Sequence, residues 1–184
     1  MTYITYLETE ELLRKLPMLR TLLANLQLNY KTIYEAGPEW CGTEYDVFYT
    51  KIVGNHEISD MPFGGHANPG DKLNNIVADG PNRDYEKALK ELMSSINLVV
   101  LVIDRIDYAM DVKQKNISQS ERDIIEDRFF LRLHSKKLQI KYDMGRMQIW
   151  RKIREITERI ASLIQISVEQ YEGCMKMLEW GEQE

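Results

Sequence analysis

The chain has 184 residues, 43% of them hydrophobic and 29% charged, which is enough to bury the core of one ordinary domain or two small ones. Its 24 Lys and Arg against 29 Asp and Glu leave a formal charge of −5, which argues against a generally basic nucleic-acid coat. No run approaches the ~20 apolar residues of a bilayer span, and the opening MTYITYLETEELL lacks the basic and apolar regions of a secretory leader, so a cytoplasmic protein without a membrane partner is expected. Cys41 and Cys174, the only cysteines, form no cluster suited to a disulfide framework or a thiolate metal site.

In chain order, Leu12, Leu16, Leu19, Leu23, Leu26, Tyr30 and Ile33 recur at steps of four and three, the spacing of one helical stripe. Pro17 has no amide to donate inside a helix, so the main helix is expected to begin near Leu16 and to end by Gly37. Residues 37–81 hold 7 of the 10 glycines and 4 of the 5 prolines and read as a long connection, with much of 54–80 irregular. Within it, the alternating residues 45–53 suit an arm of a short β-hairpin. His56 and His66 lie there without a local carboxylate or thiolate pattern and read as ordinary loop histidines, so no metal is expected. After the connection, Leu89, Leu92, Ile96, Val99, Ile103, Ile106 and Met110 repeat the three-four rhythm. This second stripe forms either a helical hairpin with the first or a coiled-coil homodimer with a second copy, since heptads specify a seam without naming the partner.

The last third divides into shorter helices. Ser120-Glu121-Arg122-Asp123 suits a helix start, with Ile124, Ile125, Arg128 and Phe129 setting one face of a helix over about 121–133. Ser135 is expected to cap a short helix over 136–142, ended by a tight turn at Asp143-Met144-Gly145. Ile149, Ile153, Ile156, Ile160 and Leu163 then mark a longer helix. Gly173 predicts a bend before a final piece with Tyr171, Met175, Met177 and Leu178.

The −5 average conceals a local excess. Residues 128–154 carry Arg128, Arg132, Lys136, Lys137, Lys141, Arg146, Arg151, Lys152 and Arg154 against Asp143 alone, a net of +8, and the two flanks of this window within 116–184 together sum to −8. The window coincides with the short helix, tight turn and longer helix, the order of a helix-turn-helix. In that arrangement Leu138, Tyr142, Met144 and Ile149 bury against one another, and Trp150 joins the core. Arg146, Met147, Gln148 and Arg151 then face a major groove, where arginine can read guanine and glutamine adenine. Ser135, Lys136, Lys137, Lys141 and Lys152 complete the expected DNA-binding set, chiefly through phosphate. No G-x-S-x-G, phosphate-cradling loop or H-E-x-x-H occurs, so neither catalysis nor a cofactor is expected.

Residues 121–164 resemble region four of sigma factors and, more closely, the C-terminal half of phage and prophage sigma-like late transcriptional regulators of the ArpU/RinA kind. Arg128-Phe129-Phe130 resembles the Arg-aromatic pair closing the helix before the motif, and Tyr142-Asp143-Met144 the aromatic-Asp-aliphatic turn. Arg146 matches the arginine that begins the recognition helix, and Ile149 its buried aliphatic position. Gln139 stands where a small residue is usual, so its amide must turn away from the helix pair. Lys152-Ile153 moves the next apolar contact by one residue. The helix from Ile106-Asp107 and the preceding Gly/Pro-rich stretch are also similar to those regulators.

The resulting expectation is a mainly all-α protein. Residues 1–115 form a helical module, a long hairpin or coiled coil interrupted at about 37–81, and residues 116–184 form a sigma region-four-like helix-turn-helix domain with a C-terminal helix. The expected function is sequence-specific binding of double-stranded promoter DNA by a phage or prophage regulator, with RNA polymerase as a further candidate partner. The competing expectation is a helical phage assembly, packaging or polymerase-docking protein that reads no DNA sequence.

Overall fold

Leucines at helical spacing wind the first segment into α1, Tyr6–Ala36. Its start is fixed by Glu8, which accepts the backbone N–H of Thr5 at 2.6 Å. The computed structural model describes residues 2–37 and 69–181. Among these, the chain is all-α: six helices and no β-sheet. The hairpin expected at 45–53, both linker histidines and Cys41 lie outside the described residues.

α1 does not start at Leu16; it runs through Pro17. A proline inside a helix costs about 3 kcal/mol or more. Leu12, Leu13, Leu16 and Leu19 on this stretch are at most 1% exposed, and burying each contributes roughly 1.5–3 kcal/mol. Four such residues outweigh the lost hydrogen bond, and the proline ring itself faces solvent. The second helix, α2, Pro69–Ala109, begins inside the stretch read as a connection. Pro69 occupies its first position, where a missing N–H leaves no helical bond unmade.

The chain divides into two units, Met1–Leu22 with Leu98–Lys176, and Leu23–Asn97 with Met177–Glu184. In the second, Leu26, Ile33, Ala88, Leu92 and Ile96 are buried and Leu89 is half-buried. The first unit holds the remainder of both leucine-isoleucine stripes, including Val99, Ile103 and Ile106, all buried.

In the first unit a 3-10 turn, Val112–Gln114, leads to α3, Gln119–Ile125. The cap of α3 is Ser118, not Ser120: its hydroxyl accepts Glu121 N–H, and the Glu121 carboxylate accepts Ser118 N–H at 2.9 Å, a reciprocal capping box. α3 passes directly into a π-helical turn, Glu126–Phe130, rather than continuing as α-helix to Leu133. Three helices follow: α4, Ser135–Tyr142; α5, Arg146–Ile164; and α6, Val168–Gly181.

Along α5, Ile149, Ile153, Ile156 and Ile160 are at most 1% exposed, and the frame continues on Ile164 rather than on Leu163, which is half-buried. Its last carbonyls are satisfied from outside the helix, because the Arg105 guanidinium of α2 donates to Ile164 O at 3.1 Å and also to Gln165 O. The segment before α1 is tied to the α5–α6 junction by Ile4 N–H to Ile166 O at 3.0 Å and Val168 N–H to Thr2 O at 3.1 Å. α6 does not bend at Gly173. A Cβ there would stand 3.0 Å from the Leu98 side chain, so glycine permits close approach to α2.

Candidate nucleic-acid interface

The basic window is organised by one turn. α4 ends at Asp143, which adopts the left-handed conformation (φ 49, ψ 47), and both Asp143 N–H and Met144 N–H are donated to Gln139 O. Asp tolerates this region better than most side chains, so three residues suffice to reverse the chain into α5. Gly145 precedes α5 with an ordinary negative φ of −61, and its N–H is accepted by Gln148 Oε1 at 3.0 Å. Leu138 of α4 and Ile149 of α5 are each 1% exposed, while Tyr142 and Met144 are half-buried.

Ser135 is the first residue of α4 rather than its cap; His134 takes the cap position without a side-chain hydrogen bond. The Ser135 hydroxyl instead accepts the Gln139 amide at 3.2 Å, so that amide folds back along its own helix and leaves the helix pair uncrowded. Trp150 is not core: it is half-buried beneath Arg128, whose guanidinium carbon lies 4.6 Å from the ring centre.

The nine basic residues fall into two groups. Lys136, Lys137, Arg146 and Arg151 are exposed beside exposed Met147 and Gln148. Lys141, Lys152 and Arg154 are engaged: Lys141 Nζ lies 2.6 Å from Asp127 Oδ2, Lys152 Nζ 2.8 Å from Glu121 Oε1, and Arg154 Nε 2.8 Å from Glu158 Oε1. Arg128 and Arg132 have no carboxylate partner among the described residues and flank the π-turn.

Two buried carboxylates position this surface. Asp127, 3% exposed, accepts the Tyr142 hydroxyl at 2.6 Å as well as the Lys141 ammonium, holding the end of α4 on the π-turn. Burial, followed by the hydrogen bond to Asp127, pushes the Tyr142 phenol up from its ordinary range. Glu121, 7% exposed, meets Lys152 and Arg159 of α5 as well as Ser118. Burial alone would raise its carboxyl, but the Lys152 bond, the Ser118 N–H and hydroxyl and the Arg159 charge together hold it at about 2.

Sequence reasoning missed both roles. The Ser118-x-x-Glu121 spacing carries the signal for one, although Ser120 and Asp123 offer the same spacing two residues on. Nothing local signals that Asp127 meets Tyr142, fifteen residues away. Among the described residues no group of three His, Cys, Asp or Glu is placed to hold a metal ion, and no helix is long and apolar enough to cross a membrane. Cys174 is buried and its thiol is pushed up to about 12 by that burial, far from a reactive thiolate. No family model, no curated protein and no solved structure matches the chain.

Proposed function

We propose that the protein is a sequence-specific DNA-binding transcriptional regulator, with α4 and α5 acting as a sigma region-four-like helix-turn-helix at promoters and RNA polymerase as a further partner. The phage or prophage assignment rests on the resemblance of residues 121–164 to sigma-like late regulators. The observation that carries the reading is the exposed first turn of α5. Arg146, Met147, Gln148 and Arg151 stand free while Ile149 between them is 1% exposed, as a recognition helix seated on its own core requires. Its mechanism is binding rather than catalysis.

Within this reading Lys136 and Lys137 contact phosphate, and Lys152, held by Glu121, supports α5 rather than touching DNA. The second stripe is covered within one chain, which favours pairing inside the chain over a dimer through Leu92–Ile106. Duplexes selected from a random pool provide the test, with affinity measured by fluorescence anisotropy over a salt series. Replacing Arg146, Gln148 and Arg151 together by alanine should abolish sequence preference, and Lys136→Ala should weaken all duplexes evenly. Retained preference in the triple variant would refute the recognition-helix assignment.

A second reading, a protein-docking helical module, is favoured by Ile140, Met147 and Leu131, which are 83%, 73% and 67% exposed on the same segment. Capture of polymerase core without DNA, together with no preference among duplexes, would select it.

A further inference from the structure

Arg14, Arg128, Phe129 and Arg132 line a cavity of about 360 Å³ in the first unit. Three guanidinium groups therefore converge from two parts of the sequence, α1 and the π-turn with its exit. The only carboxylate paired with any of them is Glu10, on Arg14 one helical turn away. Like charges assemble at a concave surface only where something of opposite charge offsets their repulsion, and water alone does this poorly inside a cavity.

Two further observations point to a ligand. Arg128 Nε is buried and has no hydrogen-bond partner, although the stack on Trp150 fixes the guanidinium in place. A buried N–H left unpaired in this way is an open donor. Arg132 sits in the left-handed region at φ 51, rare for a side chain other than Gly, Asn or Asp. It is held there by Leu131 N–H to Glu126 O at 2.9 Å and Leu133 N–H to Asp127 O at 2.8 Å, which clamp the residues on either side. A π-turn followed by a left-handed arginine is local structure that serves no helix, and such features concentrate at binding sites.

We propose that this cavity is a phosphate site, in which Arg14, Arg128 and Arg132 donate to the oxygens of one phosphate group. Planar guanidinium forks suit phosphate oxygens in pairs, and the Phe129 wall excludes water from one side. In the protein's proposed function the group is a backbone phosphodiester of the bound duplex, a contact beyond the α4–α5 surface; this choice of source rests on the DNA-binding reading, whereas the site itself does not.

The test uses the full chain and the double variant Arg14→Ala/Arg132→Ala, both positions being solvent-exposed, with Arg128 left to keep its stack on Trp150. Lys113→Ala/Lys115→Ala removes the same charge outside the cavity and serves as the control. Inorganic phosphate at ten times its Kd should raise the Tm of the wild type and of the control by about 2–4 °C above the effect of chloride at equal ionic strength, and the cavity variant should lose this rise. With duplex DNA, the slope of log K against log salt should fall by about 1.8 in the cavity variant, roughly 0.9 per lost phosphate contact, and by less in the control.

A lost phosphate response with the expected change in slope establishes the site and its duplex source. A lost response in a protein that binds no duplex establishes a free-phosphate site and refutes the DNA-binding reading. A lost response with duplex binding whose slope matches the control keeps the site and overturns the duplex source. A wild type that answers phosphate no more than chloride, or a cavity variant that keeps the full response, overturns the proposal.

Discussion

Glu121→Gln is the most informative single change, because one carboxylate joins the cap of α3 to two cations on α5. The Glu121 carboxyl lies at about 2, against 4.5 for the free group. A difference of that size corresponds to about 3 kcal/mol favouring the folded state at neutral pH. The folded carboxyl is the more acidic one, so the folded state binds fewer protons between these two values. The contribution is therefore fully present above pH 4.5 and is lost as pH falls towards 2, with between about 1 and 2 kcal/mol gone by pH 3.5. Glutamine keeps the shape and can still accept Ser118 N–H, but it leaves Lys152 and Arg159 with only the more exposed Glu155, at 3.6 and 3.1 Å. Urea unfolding followed by circular dichroism should show the variant less stable by about 2–4 kcal/mol at pH 7, with the gap narrowing steadily between pH 5 and pH 3.5. A gap below about 0.5 kcal/mol at pH 7, or one that does not change with pH, would refute the electrostatic account of how α3 holds α5.

Asp127→Ala should destabilise the protein by roughly 2–4 kcal/mol, since it strands the Tyr142 hydroxyl and the Lys141 ammonium. Ultraviolet titration of the tyrosines should then show the Tyr142 phenol moving back down towards its ordinary value. Arg105→Ala removes the donor to the last carbonyls of α5 and should cost about 1–2 kcal/mol, with faster amide exchange confined at first to the final turn of α5. Gly173→Ala should be close to neutral by thermal melting, because roughly 1 kcal/mol of helix propensity is set against a contact with the movable end of Leu98. Gly173→Val, with two further carbons at that approach, should destabilise by about 1–3 kcal/mol.

The elements most legible in sequence are those whose burial is periodic. The isoleucines of α5 specify its inner face until Ile160, after which a step of three or four is equally admissible and only packing selects Ile164 over Leu163. Local rules fail where tertiary burial outweighs them: Pro17 is carried inside α1 by the leucines around it. At Gly173, likewise, a residue that reads as a weak point is a point of close packing. The charge window shows a subtler limit. Counting nine cations treats them alike, yet Lys141 and Lys152 are drawn to Asp127 and Glu121, acids of the flanking segment. Part of the −8 of the flanks thus binds the window to its own scaffold. That division depends on contacts across the fold and has no signature in spacing.

The first unit is assembled from the two ends of a long stretch of chain, since residues 2–22 find their partners only among residues 98–176. During synthesis at roughly 5–20 residues per second, the interval between the appearance of α1 and that of Ile166 is on the order of 10 to 30 seconds. For that time Leu12, Leu13, Leu16 and Leu19 have no native cover from the first unit. The N-terminal leucines are therefore the part of the molecule most exposed to chaperones and to premature association, and conditions that slow translation lengthen that exposure in proportion.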